Sequence, residues 1–375
     1  MKHKIEEGFL DFFKGLEDPR SVRNRKHIIG EILLTTLCAA VCGAEGWQDV
    51  EDFGKAKVDY LRQFFPFKHG IPSDDTFRRF FRALNPEQFQ SLFRDWVRSF
   101  QPNLDQGVIA IDGKSSRHTF DQDKKMLHMI SAYASESGLV LAQEKVDEKS
   151  NEITAIPKIL EWLDLRGSLV TIDAMGCQVE ITQTIISKEG DYIFSLKGNQ
   201  GSLKEDVQAY MQDQNVIREL APSTECDKGH GRLETRVCWV THDVEWLHEL
   251  HPKWTTIHSL IRIDSTREMN TKITKESRYY ISSRALTSEK ALRSIRDHWS
   301  IENKLHWVLD MSFGDDQSRI RKENAPQCMA IIRHIALNLL QSQKSAMKRQ
   351  SIKRLRKMGG WSDDILSAII SQTFS

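Results

Sequence analysis

The amino-acid sequence predicts a mixed α/β protein, α+β in overall arrangement. An all-helical N-terminal region spans residues 1–100, and an α/β region spans 105–375 with a β-rich insertion at about 220–285. Three observations predict this. Before residue 100, apolar residues recur at the three-to-four spacing of helices with one buried face. From about residue 105 the pattern changes to short apolar runs closed by turn residues, first three in succession and then alternating with helical stretches. Finally, 375 residues of which 39% are hydrophobic suffice for one large core or two ordinary ones.

In the N-terminal region, Ile28 to Cys42 reads as an apolar helix and Trp47 to Phe64 as an amphipathic one. Ser73 is an N-cap for a third helix, Asp74 to Leu84, whose two leading aspartates suit the positive end of the helix dipole. Phe77, Phe80, Phe81 and Leu84 share one face of it, leaving Arg78, Arg79 and Arg82 outside, either solvated or facing DNA as in a helix-turn-helix arrangement. Pro86 opens a fourth helix carrying Phe89, Leu92, Phe93, Trp96 and Val97.

Val108–Asp112, Leu127–Ala134 and Leu139–Val146 follow as strands, the last two joined by a turn at Ser135-Glu136-Ser137-Gly138. A helix at Ile156–Leu163, a strand ending at Asp173, a helix at Val179–Lys188, the strand Asp191–Lys197 and a helix through Tyr210 complete the run. The order β-β-β-α-β-α-β-α is that of a ribonuclease-H-like domain, in which the first and fourth strands lie side by side. Between Asp173 and the next helical motif, Glu234–Val240, Trp254–Ile263 and Ser277–Ser282 read as the strands of the insertion. Its turn, Gly229-His230-Gly231-Arg232 onward to Arg236, offers Arg232 and Arg236 to a phosphate backbone or to solvent.

Composition narrows the function classes. The longest apolar stretch, Ile32 to Ala44, is too short to span a bilayer, and the first residues hold no signal-peptide core, so a cytoplasmic protein is expected, on the nucleoid when bound to DNA and with no membrane partner. Six cysteines without a Cys-x-x-Cys pair or a zinc-finger histidine suggest buried free thiols. A net charge of +1 excludes a uniformly basic coat while leaving local patches, among them Lys344 to Lys357. No glycine-rich nucleotide loop and no Ser/His/Asp or Cys/His arrangement points to small-molecule chemistry.

The chemistry lies in three acids. Asp112 ends the run Val108-Ile109-Ala110-Ile111 and precedes Gly113-Lys114; Asp173 ends Leu169-Val170-Thr171-Ile172; Glu302 lies in a stretch of helical periodicity, where His298, Glu302, His306 and Asp310 recur every four residues. Each acid alone has a bland reading, as a turn cap or a helical ion pair. Together they form the donor set of a two-metal phosphoryl-transfer site, since carboxylates are hard oxygen ligands for Mg²⁺ or Mn²⁺. Asp310, Asp315 and Asp316 are the alternatives for the third acid. Lys114 and Lys197 are candidate phosphate contacts, and His298 a candidate contact to phosphate or to a metal-bound water.

Ile109-Ala110-Ile111-Asp112-Gly113-Lys114, Thr171-Ile172-Asp173-Ala174-Met175, Leu196-Lys197-Gly198-Asn199-Gln200, Tyr280-Ile281-Ser282-Ser283 and His298-Trp299-Ser300-Ile301-Glu302-Asn303 strongly resemble the bacterial insertion-sequence transposases of the DDE class. Within that class the chain is similar to the H-repeat-associated transposases over nearly its whole length. The resemblance implies that Asp112, Asp173 and Glu302 form the metal-binding triad. It implies two Mg²⁺ or Mn²⁺ ions as cofactors, double-stranded DNA as partner and a homodimer on that DNA. The reaction it implies is cleavage and strand transfer at element ends. One departure stands out: where the wider class carries Tyr, Arg and Lys around the third acid, this chain has Ile295, His298 and Leu309. Two other readings remain open, a ribonuclease-H-like structure-specific nuclease and a non-catalytic DNA-binding relic.

Overall fold

A computed structural model describes residues 9–99, 107–119, 126–146, 152–229, 232–269, 272–347 and 350–371. Its centre is a nine-stranded mixed sheet. The strands are β1 (Val108–Ser116), β2 (Leu127–Ala134), β3 (Leu139–Val146), β4 (Leu169–Ile172), β5 (Asp191–Ser195), β6 (Ser223–Gly229), β7 (Arg232–Thr241), β8 (Ser259–Met269) and β9 (Lys272–Ser282). Their order across the sheet is β3-β2-β1-β4-β5-β9-β8-β7-β6. The first three strands are antiparallel, β1, β4 and β5 run parallel, and β9 returns antiparallel beside β5. The turn from β2 to β3 closes at Gly138, whose φ of +76° is a region that a residue with a Cβ adopts only under strain.

The segment expected as an insertion continues this sheet. Because Phe194 pairs with Ile281 and Leu260 with Ile281 on its other side, β9 joins β5 to β8 without a break in the hydrogen-bond ladder. Trp254 lies in the turn before β8 rather than in the strand. The expected turn residues His230 and Gly231 lie outside the described residues, as do Lys348 and Arg349 of the C-terminal basic run.

Residues 9–98 contribute helices and no strand among the described residues. Ser73 Oγ accepts the Thr76 N–H at 3.4 Å, and Phe77, Phe80, Phe81 and Leu84 are buried. Asn85 caps the next helix, Pro86–Arg98. The stretch Trp47 to Phe64, expected as one helix, is two: Trp47–Ala56 and Val58–Leu61, broken at Lys57. Lys57 Nζ is instead bonded to Asp363 at 2.7 Å, near the other end of the chain. The apolar core does not stop at the sheet. It runs from Phe13 through the helix Ile29–Cys42 to the helix Ala325–Ala346 and on to Leu366, Ile369 and Ile370, so those last residues close a core helix.

Two expectations about polar groups are corrected. Cys38, Cys177, Cys238 and Cys328 are buried, but Cys42 is half-buried and Cys226 is exposed because β6 is an edge strand. In the basic C-terminal run, Arg356 is buried, with its guanidinium 4.0 Å from the Phe313 ring centroid and donating to the Ala40 carbonyl at 2.7 Å. Burial pushes it down to about 10. Among the described residues no single helix is long and apolar enough to cross a membrane.

Candidate active site

β1 pairs with β4 in parallel as far as Ile111 opposite Ile172, which brings Asp112 and Asp173 to adjacent positions at the end of that ladder. Asp112 is not the last residue of its strand, as the sequence suggested. β1 continues to Ser116 on the β2 side, so Asp112 stands where one neighbour has ended and the other has not. Strand side chains alternate in direction. Val108, Ala110, Asp112 and Lys114 therefore share a face with Leu169 and Thr171 of β4, Ile193 and Ser195 of β5, and Glu276, Arg278 and Tyr280 of β9.

The root of that face is covered by the helix Ser288–His298, whose Leu292 and Ile295 join Val108, Leu169, Ile193, Ile261 and Tyr280 in one apolar cluster. The chain then makes a π-helical turn, Ile301–His306, closed by the Trp307 N–H on the Glu302 carbonyl. This wide turn carries Glu302. A cleft of about 370 Å³ results, walled by Asp112, Asp173 and Glu302 together with Lys197, Arg278 and His298.

The acids differ in environment. Burial pushes Asp112 up to about 7, opposed by the Gly113 N–H and reinforced by the negative charges of Glu302, Glu152 and Asp173. Burial also raises Asp173, but the Ala174 N–H at 2.6 Å and the Lys197 ammonium at 3.0 Å outweigh it and hold the carboxyl below its ordinary value. Asp173 thus caps the turn Ala174–Gly176 and faces the cleft at once. Glu302 is exposed. His298 is not a free surface histidine: its Nδ1 is 3.0 Å from Thr171 Oγ1, and burial pushes it down to about 4. Burial likewise pushes His306 down to about 3; its Nδ1 lies 3.6 Å from Asp112 Oδ2.

Of the candidate DNA contacts, Lys197 and His298 line the cleft. Lys114 does not reach it. Its ammonium lies 2.7 Å from Asp310, 3.2 Å from Asp316 and 3.5 Å from Asp315, with the side chain 11% exposed, so it has no freedom to meet a phosphate. The same contacts explain why Asp310, Asp315 and Asp316 are absent from the cleft wall. Arg78 and Arg79 pair with Asp75, Arg82 with Glu323 and Arg236 with Glu234, all away from the cleft. Arg232 is exposed at the far end of β7.

Sequence reasoning missed Arg278, Glu276 and Tyr280 as cleft residues. The alternation Glu276-x-Arg278-x-Tyr280 was the available signal, but which face it served depended on β9 joining β5. Arg278 donates to Glu276 at 2.8 and 2.9 Å and has its guanidinium 5.2 Å from the Trp299 ring centroid. Among the described residues no three His, Cys, Asp or Glu side chains converge on a single point as ligands. In a two-ion site with one bridging carboxylate, each ion takes only two protein carboxylates, which is compatible with this spacing.

The family model of the transposase DDE domain matches residues 103–339, and that of the DDE_Tnp_1-associated region matches residues 10–97. The "H repeat-associated putative transposase YhhI" of Escherichia coli K12 is 40% identical over 353 residues, 91% of this chain and 92% of that protein. The "Putative transposase YncI" of Escherichia coli O157:H7 is 37% identical over 365 residues, 94% of this chain and 91% of that one. A piggyBac transposase synaptic complex with hairpin DNA aligns with 96% of this chain and 75% of its own, at 8% identity and a TM-score of 0.44.

Proposed function

Because the chain belongs to the family of transposases with a DDE domain, we propose that it cuts and joins double-stranded DNA at the ends of a mobile element, with Asp112, Asp173 and Glu302 as its metal-binding acids. The observation that carries this reading is the meeting of three carboxylates from three distant motifs in one cleft with less positive charge than negative. Lys197 and Arg278 are the cations of that cleft, and Arg278 is already bonded to Glu276. Strand order β3-β2-β1-β4-β5, with β1, β4 and β5 parallel, supports a ribonuclease-H-like framework for the site.

The donor set fits divalent ions. It consists of carboxylate oxygens, and the proton that burial and like charge retain on Asp112 is the sign of a missing cation. DDE transposases generally use divalent metal ions; a pair of Mg²⁺ or Mn²⁺ ions here would supply Lewis-acid activation and neutralise the leaving oxygen. Asp112, between the other two acids, is the bridging ligand and must lose its proton to serve. Asp173 and Glu302 flank it. Lys197 and Arg278 hold the phosphodiester by charge, and His298, neutral at pH 7, fixes Thr171 without adding charge. Water attacks the phosphodiester at the element end and leaves a 3′-hydroxyl. That hydroxyl then attacks target DNA, each bond made matched by one broken, with no covalent protein intermediate. Joining two ends at once calls for a homodimer on DNA.

The test is cleavage and joining of labelled DNA carrying the element's flanking ends, with Mg²⁺ or Mn²⁺, for the unaltered chain and Glu302→Gln. Joined product that disappears in the variant supports the reading. Joining that persists removes Glu302 from the site, and cutting without joining in the unaltered chain replaces the transposase by a nuclease.

A further inference from the structure

On the face of β1 opposite to Asp112, a second set of polar groups is packed against the same stretch of backbone. Glu152 opens the helix Glu152–Trp162, which packs on β2 and β3. Its Oε1 is 2.7 Å from His128 Nε2, and the other ring nitrogen of His128 is 2.8 Å from Ser115 Oγ. Side chains of His128 and Glu152 are only 5% and 12% exposed. The carboxylate reaches this position because residue 113 has no side chain: a Cβ on Gly113 would lie 2.6 Å from Glu152 Oε1 and 2.8 Å from His128 Nε2. Glu152 is thus pressed on the residue next to Asp112, at the point where β1 has lost β4 as a neighbour and its edge is open. With Oε1 on His128, Oε2 has no hydrogen-bond partner among the described residues.

We propose that Glu152 is a fourth carboxylate of the catalytic centre, oriented by His128 and Ser115, which strengthens the hold on a divalent ion at Asp112. The inference rests on the reading of Asp112 as a metal ligand. Three observations support it. The geometry needs glycine at 113, which packing alone would not require on an open strand edge. His128 engages a single carboxylate oxygen and leaves the other free. Glu152 also acts on Asp112 electrostatically, ahead of Asp173 in the order of contributions that push Asp112 up. Glu152 acts as a positioning and charge-supplying group; contact with the DNA is not part of its role.

The experiment is Mn²⁺ binding to the full chain without DNA, followed by titration calorimetry and by the electron paramagnetic resonance signal of free Mn²⁺. Loss of an outer carboxylate commonly weakens a site by about 10- to 100-fold. Glu152→Gln is therefore expected to raise the Mn²⁺ dissociation constant at least about tenfold, while binding of end DNA and melting temperature stay near those of the unaltered chain. Glu152→Asp is expected to restore part of the affinity, which a purely structural role would not produce. Gly113→Ala, which changes no titratable group, is expected to weaken Mn²⁺ in the same direction by displacing the carboxylate, and it replaces Glu152→Gln if that variant does not fold. Asp112→Ala serves as reference. If it abolishes binding while Glu152→Gln binds Mn²⁺ within twofold of the unaltered chain, the fourth carboxylate is refuted and the triad stands. If Asp112→Ala itself binds Mn²⁺ normally, the reading of the triad fails first.

Discussion

Two acidic clusters lie on the same face of the sheet, a few residues apart in β1, and their treatment is opposite. Asp310, Asp315 and Asp316 converge on Lys114, and Asp315 also accepts from Ser116 Oγ at 2.6 Å and pairs with Arg333 at 2.5 Å. Burial raises Asp315, but Arg333 and Lys114 hold it below the ordinary carboxylate range. Asp112 lies two positions before Lys114 and receives no such cation, so burial leaves it at about 7. The fold had the means to neutralise Asp112 and used them one step further along the strand. Uncompensated charge at Asp112, Asp173 and Glu302 is thus a selective omission, which a cation from outside the chain would complete.

The sharpest way to break this comparison is to exchange the losses. Glu302→Gln is expected to lower strand transfer at least about a thousandfold, roughly 4 kcal/mol of barrier. Asp310→Asn should leave it within about tenfold, worth about 1.4 kcal/mol; equal losses in the joining assay would erase the distinction between the clusters. Next in size, Asp315→Asn leaves Arg333 buried with one partner fewer. Breaking a buried pair costs about 3–5 kcal/mol, and urea denaturation should register a loss of that order, whereas a neutral outcome would mean that the cluster is not structural.

The third prediction runs the other way. Because Asp112 is raised from 3.8 to about 7 in the folded chain, its contribution to stability is full below the unfolded value and is lost as pH rises through about 7. Without metal, Asp112→Asn should therefore stabilise the chain at pH 8, by roughly 1–4 kcal/mol, and much less near pH 4. Thermal melts at both pH values with chelator present check it; a variant no more stable at pH 8 would show that the site carries no stored charge. The smallest effect is expected for Arg82→Ala. Its partner Glu323 is half exposed, so the pair is worth less than about 1 kcal/mol in the same denaturation experiment. A larger loss would place the Asp74–Ala83 helix among the elements that hold the site.

Much of the site was legible because local chemistry marks it. Asp112 and Asp173 each follow four apolar residues that can only be a buried strand, and Ser73, Asn85 and Thr287 announce helix starts with side-chain caps. What was not legible depends on pairing over long separations. Lys114 reads as a free cation until the residues after Glu302 fold back on β1, and Arg278 reads as a surface residue until β9 joins β5. The segment from β6 to β9 looks like a separate body because its strands are consecutive; only the register Ser195 opposite Tyr280 makes it an extension of the central sheet. Helical periodicity correctly groups His298, Glu302 and His306, yet it assumes a uniform α-helix and so misses the wide turn.

That turn has a consequence for how the chain tolerates insertion and deletion. An α-helix advances about 100° per residue, so a wide turn shifts the phase of everything after it relative to everything before. Leu292 and Ile295 on one side and Leu309 and Phe313 on the other are all buried, and the extra residue held in Ile301–His306 lets both ridges face inward at once. Removing one residue there would wind the segment back to an ordinary helix and turn the later ridge toward solvent, or else swing Glu302 off the cleft. The length of Ile301–His306 is therefore expected to be invariant where its individual side chains are free to drift.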